Sequence, residues 1–116
     1  MNKNELLNIT FELSLAIIEY CEDLEEQKKY IISRQLLRSG TSIGANSREA
    51  QGAESRADFI HKLKIAYKET EETLYWIELC EQSKNYPNPP VNVSDLLTSS
   101  RKLLGKIIST SKKNYK

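Results

Sequence analysis

The sequence predicts an all-α fold, an up-down-up-down four-helix bundle, on three grounds. Of 116 residues only four are glycine and three proline, about half of what average usage of about 7% Gly and about 5% Pro would supply, so breaks are few and elements long. Apolar residues recur at steps of three and four in four separate stretches, with no period-two alternation and no internal repeat. The links joining the first three stretches are short, which sets successive helices side by side and antiparallel. A chain of this length suits one domain with a single core, expected over 1–116.

Helix one, expected over 4–24, rests on Leu6, Ile9, Leu13, Ile17, Tyr20 and Leu24. After the charged link Glu25-Glu26-Gln27-Lys28-Lys29, helix two, expected over 28–52, carries Ile32, Leu36, Gly40, Ile43, Ser47 and Ala50. Gly52 is its expected C-terminal cap, because glycine adopts the left-handed backbone freely. Ser55, with Asp58 three positions on, forms an N-terminal capping arrangement. It opens helix three, 56–82, with the stripe Phe59, Leu63, Ala66, Thr70, Thr73, Ile77 and Cys80. All three prolines fall in Tyr86-Pro87-Asn88-Pro89-Pro90, which reads as the one real loop. Ser94 as N-cap, with Val93 as a staple, starts helix four, 94–111, on Leu97, Leu104 and Ile108 flanked by Leu96, Leu103 and Ile107. Gly105 inside this helix weakens it by about 1 kcal/mol relative to alanine.

Two helices carry more than one protomer needs. A surface helix of a bundle requires one apolar stripe, yet helix three also bears Ile60, Ile65, Tyr67, Leu74, Tyr75, Trp76 and Leu79 around most of its circumference. Ile65, Tyr75, Trp76 and Leu79 are therefore expected at a contact with a second copy. Helix two carries a seam of small or polar residues, Gln35, Ser39, Ser42, Asn46 and Glu49, beside Gly40 and Gly44, suited to close helix contact on a second face. A solvated polar face is the competing reading.

Several classes drop out. No run of about 18 apolar residues exists, and the polar first residues lead into an amphipathic stretch with Glu12 and Glu19, so no membrane partner, no signal peptide and a cytoplasmic location are expected. Cys21 and Cys80, far apart and each on an apolar stripe, read as reduced core thiols. A ferritin-type di-iron site needs two histidines, and this chain has one, His61, with Asp58-x-x-His61 the nearest approach. No nucleophile with an implied partner and no Gly-rich phosphate loop is evident. The expectation is a non-enzyme without metal or cofactor.

The stretch Leu37-Arg38-Ser39-Gly40-Thr41-Ser42-Ile43-Gly44-Ala45-Asn46-Ser47-Arg48-Glu49-Ala50, followed by Ser55-Arg56-Ala57-Asp58-Phe59, Lys64-Ile65-Ala66 and Glu72-Thr73-Leu74, resembles the bacterial 23S rRNA intervening sequence proteins. The densest match is the Arg-x-x-x-Ser-Ile-x-x-Asn-x-x-Glu pattern on Arg38, Ser42, Ile43, Asn46 and Glu49. Where many relatives have Glu-Gly, this chain has Glu49-Ala50 and delays its glycine to Gly52. The resemblance implies a closed four-helix bundle assembling as a ring, typically a homopentamer, without known catalysis. A related branch resembles the accessory protein of diversity-generating retroelements, which implies a reverse transcriptase or nucleic acid as partner. Read from the residues themselves, Arg38, Ser42, Asn46 and Glu49, with Glu72 of helix three, form a structural polar network, which fixes helix register only where its charges are paired.

Charge placement carries the functional expectation. The 17 Lys+Arg and 16 Asp+Glu nearly cancel, but residues 1–27 hold one base against seven acids, 28–68 nine against three, 69–100 one against six, and 101–116 six bases and no acid. Folded up-down-up-down, residues 1–12, 40–68 and 101–116 share one pole with a formal charge of +7, leaving −6 at the other. Arg56, Lys62, Lys64, Lys68, Lys102, Lys106, Lys112 and Lys113 are the expected contacts to RNA or DNA phosphates. No base-reading element is apparent, so binding is expected to be backbone-directed and salt-sensitive. The alternative is a protein-interaction scaffold or accessory subunit, for example for a reverse transcriptase.

Overall fold

In the computed structural model, which describes residues 3–113 and the side chains of residues 5–113, four helices follow one another: α1 (Lys3–Glu26), α2 (Tyr30–Ala50), α3 (Arg56–Gln82) and α4 (Val91–Lys113). α1 packs on α2, α2 on α3, α3 on α4 and α4 on α1, while the backbones of diagonal helices stay apart and meet only through core side chains such as Tyr20 and Cys80. This is the up-down-up-down square, drawn out to 50 × 20 × 19 Å. Leu6, Leu13, Ile17 and Leu24 of α1, Leu36 and Ile43 of α2, Leu63 and Ile77 of α3, and Val93, Leu97 and Leu104 of α4 line its axis.

Several buried small hydroxyls are satisfied within their own helices. Thr10 donates to the Leu6 carbonyl, Ser47 to that of Ile43 and Thr70 to that of Ala66, each at 2.8 Å. The Thr73 hydroxyl donates to the Glu69 carbonyl at 2.7 Å and meets the Ser39 hydroxyl across α2 and α3 at 2.8 Å. Such residues let backbones approach while keeping their polar atoms paired, an unpaired one costing about 1–3 kcal/mol; the buried Ser100 Oγ of α4 has no partner among the described residues.

The ends of the helices depart from expectation in two places. Among the described residues no glycine has positive φ; Lys28 takes that conformation, at φ 64°. The Lys29 N–H bonds the Leu24 carbonyl at 2.8 Å and the Lys28 N–H that of Glu25 at 2.9 Å, a Schellman pair that stops α1 and delays α2 to Tyr30. Gly52 is not a left-handed cap. α2 ends at Ala50, Gln51 keeps helical angles, and the Gly52 N–H bonds the Glu49 carbonyl at 3.1 Å.

α4 begins at Val91 rather than after Ser94. Pro90 directly precedes it, and the Val93 N–H already bonds the Pro90 carbonyl at 3.0 Å. The proline loop thus leads straight into the helix, whose first turn leaves N–H groups without intrahelical partners. Ser94, inside the helix, instead donates to Glu81 Oε2 at 3.4 Å. At the start of α3 the Ser55 hydroxyl accepts the Asp58 N–H at 3.0 Å, and Asp58 Oδ2 accepts the Glu54 N–H at 3.3 Å. At the opposite pole the buried Tyr20 hydroxyl donates to the Pro87 carbonyl at 2.6 Å, tying the loop to α1.

Candidate functional site

The alternating directions bring the start of α3 and the end of α4 together, and Arg56 Nη1 donates to the Ser111 carbonyl there at 3.5 Å. Along the α3/α4 seam two hollows adjoin at Tyr67 and Gly105. One, of about 500 Å³, is lined by Lys64, Tyr67, Lys68, Gly105 and Ile108. The other, of about 320 Å³, is lined by Tyr67, Leu74, Thr98, Arg101, Lys102, Gly105 and Lys106. Together they make a groove with an aromatic and aliphatic floor and a cationic rim.

The groove exists because of helical spacing. Tyr67 and Lys68 lie one turn on from Lys64 on α3, and Arg101 and Ile108 lie one turn to either side of Gly105 on α4, so each set borders the seam with the neighbouring helix. Arg101 is held in place, its Nε donating to the Tyr67 hydroxyl at 3.3 Å and its Nη2 pairing with Glu71 Oε2 at 3.1 Å. Among the described residues, Lys64, Lys68, Lys102, Lys106 and Lys112 have no carboxylate within 4 Å. Lys112 stands against Lys64, and that side-chain contact, with the like charge it brings, holds the Lys112 ammonium below its ordinary range.

The eight expected phosphate contacts therefore divide. Lys64, Lys68, Lys102 and Lys106 rim the groove, and Lys112 extends it. Lys62 turns to α2, where its ammonium meets Glu49 Oε1 at 3.0 Å. Arg56 is engaged with Ser111, and Lys113 lies beyond the groove's lining. Tyr67, Arg101, Gly105 and Ile108 complete the site and are absent from the sequence-derived set; the i, i+4, i+7 spacing from Arg101 to Ile108 was the available signal.

The expected polar network separates into three pieces. Arg38 forms a salt bridge with Glu72 and another with Glu69 at 3.2 Å, and Glu72 also accepts the Trp76 indole N–H at 3.0 Å. Arg38 holds the Glu72 carboxyl below the usual carboxylate range, with Trp76 adding to the effect. Asn46 Nδ2 bonds the Ser42 carbonyl and hydroxyl, both at 2.9 Å, within α2. Glu49, paired with Lys62, is not joined to Arg38. Eleven residues put the two on one helix face but about 16 Å apart along the axis.

Most of the apolar excess on α3 is used inside the protomer: Ile60 is buried, and Tyr67, Leu74 and Trp76 pack against the core. Ile65 is half-buried, and Tyr75, 55% exposed, and Leu79 face outward. The structure adds a stripe the sequence reading missed, Phe11 (53% exposed), Leu15 (50%) and Ile18 on the outer face of α1. Because α1 and α3 sit at diagonal corners of the bundle, these two apolar surfaces look out from opposite sides of it.

A model of the family described as 23S rRNA-intervening sequence protein matches residues 2–109. The chain belongs to this family. A solved structure described as a protein of unknown function from the S23 ribosomal protein family of Bacteroides thetaiotaomicron VPI-5482 is similar to this 23S rRNA-intervening sequence protein family member at 43% identity. It has a TM-score of 0.86 and covers 94% of this chain and 99% of that one. No curated protein matches the chain. Among the described residues no helix is long and apolar enough to cross a membrane, and no group of three His, Cys, Asp or Glu is placed to hold a metal ion.

Proposed function

We propose that the protein is a non-catalytic, self-assembling bundle that holds nucleic acid by its phosphates on the α3/α4 face. The observation that carries the reading is the row of five lysines, Lys64, Lys68, Lys102, Lys106 and Lys112, without carboxylate partners among the described residues. Crowding like charges is unfavourable in the free protein and is relieved by a bound polyanion. Oligomerisation adds to the effect. Apolar patches on opposite sides of the bundle suit a head-to-tail contact, in which α1 of one protomer meets α3 of the next, and such contacts make a ring when the rotation from one protomer to the next closes. The family resemblance favours five protomers. In a cyclic ring every groove keeps the same orientation relative to the axis.

The test is a titration of structured RNA and duplex DNA at two salt concentrations, with light scattering to give the mass. Five phosphate contacts per site give a duplex salt slope of about −4.5, and a Lys64→Gln/Lys68→Gln/Lys102→Gln/Lys106→Gln variant brings it to about −1. The variant's melting temperature is expected to hold, since the four ammoniums make no salt bridge among the described residues. Absence of binding at low salt, or binding indifferent to the four substitutions, overturns the proposal in favour of docking a partner protein such as a reverse transcriptase.

A further inference from the structure

The four glycines of the chain differ in what a side chain would meet. At Gly40 a Cβ would lie 2.9 Å from Ile17 Cγ2, and at Gly44 3.3 Å from the Thr10 carbonyl, so close packing of α1 on α2 accounts for both. Gly52 lies in a link between helices. Gly105 is different. It sits in the interior of α4 without positive φ, where glycine is destabilising relative to alanine, and a Cβ there would make only ordinary contact, 3.7 Å from Tyr67 Cε2. Neither backbone conformation nor packing within the protomer requires glycine at this position.

What the missing side chain does is leave the part of the Tyr67 ring that is not packed on the core bordering both hollows. Tyr67 lines both hollows, its hydroxyl is fixed by Arg101, and the larger hollow of about 500 Å³ falls in the size range of small-molecule pockets. A surface meant only for phosphates needs cations and no such floor. A duplex, with its bases stacked inside, would touch the lysine tips and leave the hollow empty. A single strand can turn a base inward while its phosphates follow the rim, the combination of positive groove and aromatic platform that single-strand binding uses.

We infer that the groove at Tyr67 and Gly105 receives an unstacked base of single-stranded nucleic acid, against the Tyr67 ring, while Lys64, Lys68, Lys102 and Lys106 hold the flanking phosphates. This rests on the phosphate-binding reading and narrows it to strand form. The base is held by its face, so the site tolerates any sequence.

The experiment measures binding of a fluorescein-labelled thymidine homopolymer, and of its duplex with the complementary adenosine strand, to the full chain at one salt concentration. The single strand is expected to bind more tightly. Tyr67→Leu should weaken it by about five- to 150-fold, the range for one base–aromatic stack, and leave duplex binding unchanged. Gly105→Leu, which keeps every lysine and replaces a helix-weakening residue, should abolish the single-strand preference while the melting temperature holds or rises. Equal binding of the two forms, unchanged by either substitution, overturns the inference and leaves phosphate binding standing. A Gly105→Leu variant whose mass by light scattering changes assigns the groove to a protomer contact and also overturns it. Binding of neither form overturns the phosphate reading as well.

Discussion

At Gly40 α2 packs tightly against α1, and Gly40→Ala tests that contact. An added Cβ would stand 2.9 Å from Ile17 Cγ2, 3.0 Å from Cγ1 and 3.3 Å from Cβ. Those atoms belong to a fully buried, β-branched side chain with one strongly preferred helical rotamer, so they cannot swing aside. Overpacking of this kind costs about 1–3 kcal/mol. The gain in helix propensity returns about 1 kcal/mol, so the net expectation is a loss of about 1 kcal/mol. Gly105→Ala meets only ordinary contact and should gain about 1 kcal/mol. At about 4 °C per kcal/mol the same chemical change thus separates the two variants by roughly 8 °C in Tm. Circular dichroism melts at one protomer concentration measure this, since assembly makes Tm concentration-dependent. A cycle with Ile17→Ala sharpens it. That truncation costs about 2–5 kcal/mol alone, and less beside Gly40→Ala, whose methyl enters the vacated space, giving a coupling of about 1 kcal/mol. A Gly40→Ala variant that melts as high as Gly105→Ala, or a cycle that closes within about 0.5 kcal/mol, would refute the packing argument.

Two further outcomes follow from polar contacts at the rim of the core. Tyr20→Phe keeps the ring but removes the donor to the Pro87 carbonyl, so it should cost about 1 kcal/mol and speed amide exchange at Asn88 and Val91 while Leu63 and Leu97 stay protected. Glu72, held below its ordinary range by Arg38, contributes stability that is fully present above its unfolded pKa and is lost as pH falls from there through the lower folded value. Because the pair is substantially exposed the contribution is under about 1 kcal/mol; Glu72→Gln should flatten the acid limb of a Tm-against-pH curve by that amount, and an unchanged limb would deny the pair any role.

How much of this was legible in the sequence depends on whether the deciding interaction is local. The Ser55–Asp58 cap spans three residues and marks the start of α3 directly. The end of α1 rests on a left-handed Lys28, a residue type that carries no such signal, and the glycine that does carry one, Gly52, is not used that way. Ser94 resembles a cap, but Pro90 already leads into the helix at Val91. The apolar count on α3 overstated its free surface because packing between neighbours consumes Ile60, Tyr67 and Leu74, whereas the second stripe on α1 was hidden behind a complete first one. For the site, Lys62 and Lys64 are near neighbours in sequence but about 200° apart around the helix. Only the placement of α2 and α4 decides that Lys62 meets Glu49 and Lys64 meets the groove.

Helix packing and site placement are two sides of one choice. Gly40 and Gly44 draw α2 against α1 until a methyl would collide with Ile17 or press on the Thr10 carbonyl, and the Ser39–Thr73 hydroxyl contact closes α2 on α3. At Gly105 an equally small residue leaves α3 and α4 far enough apart for ordinary contact alone, and the seam opens into the two hollows. The same residue type therefore tightens one seam and vents another, according to whether the facing residue fills the space. Ile17 fills it; Tyr67, drawn by its hydroxyl towards Arg101, lines it instead. Cations on that seam can face a ligand because the core residues of α3 and α4, Leu63, Ile77, Leu97 and Leu104, lie on other faces of those helices, so the groove can be altered at Gly105 or at its lysines while those contacts stay in place.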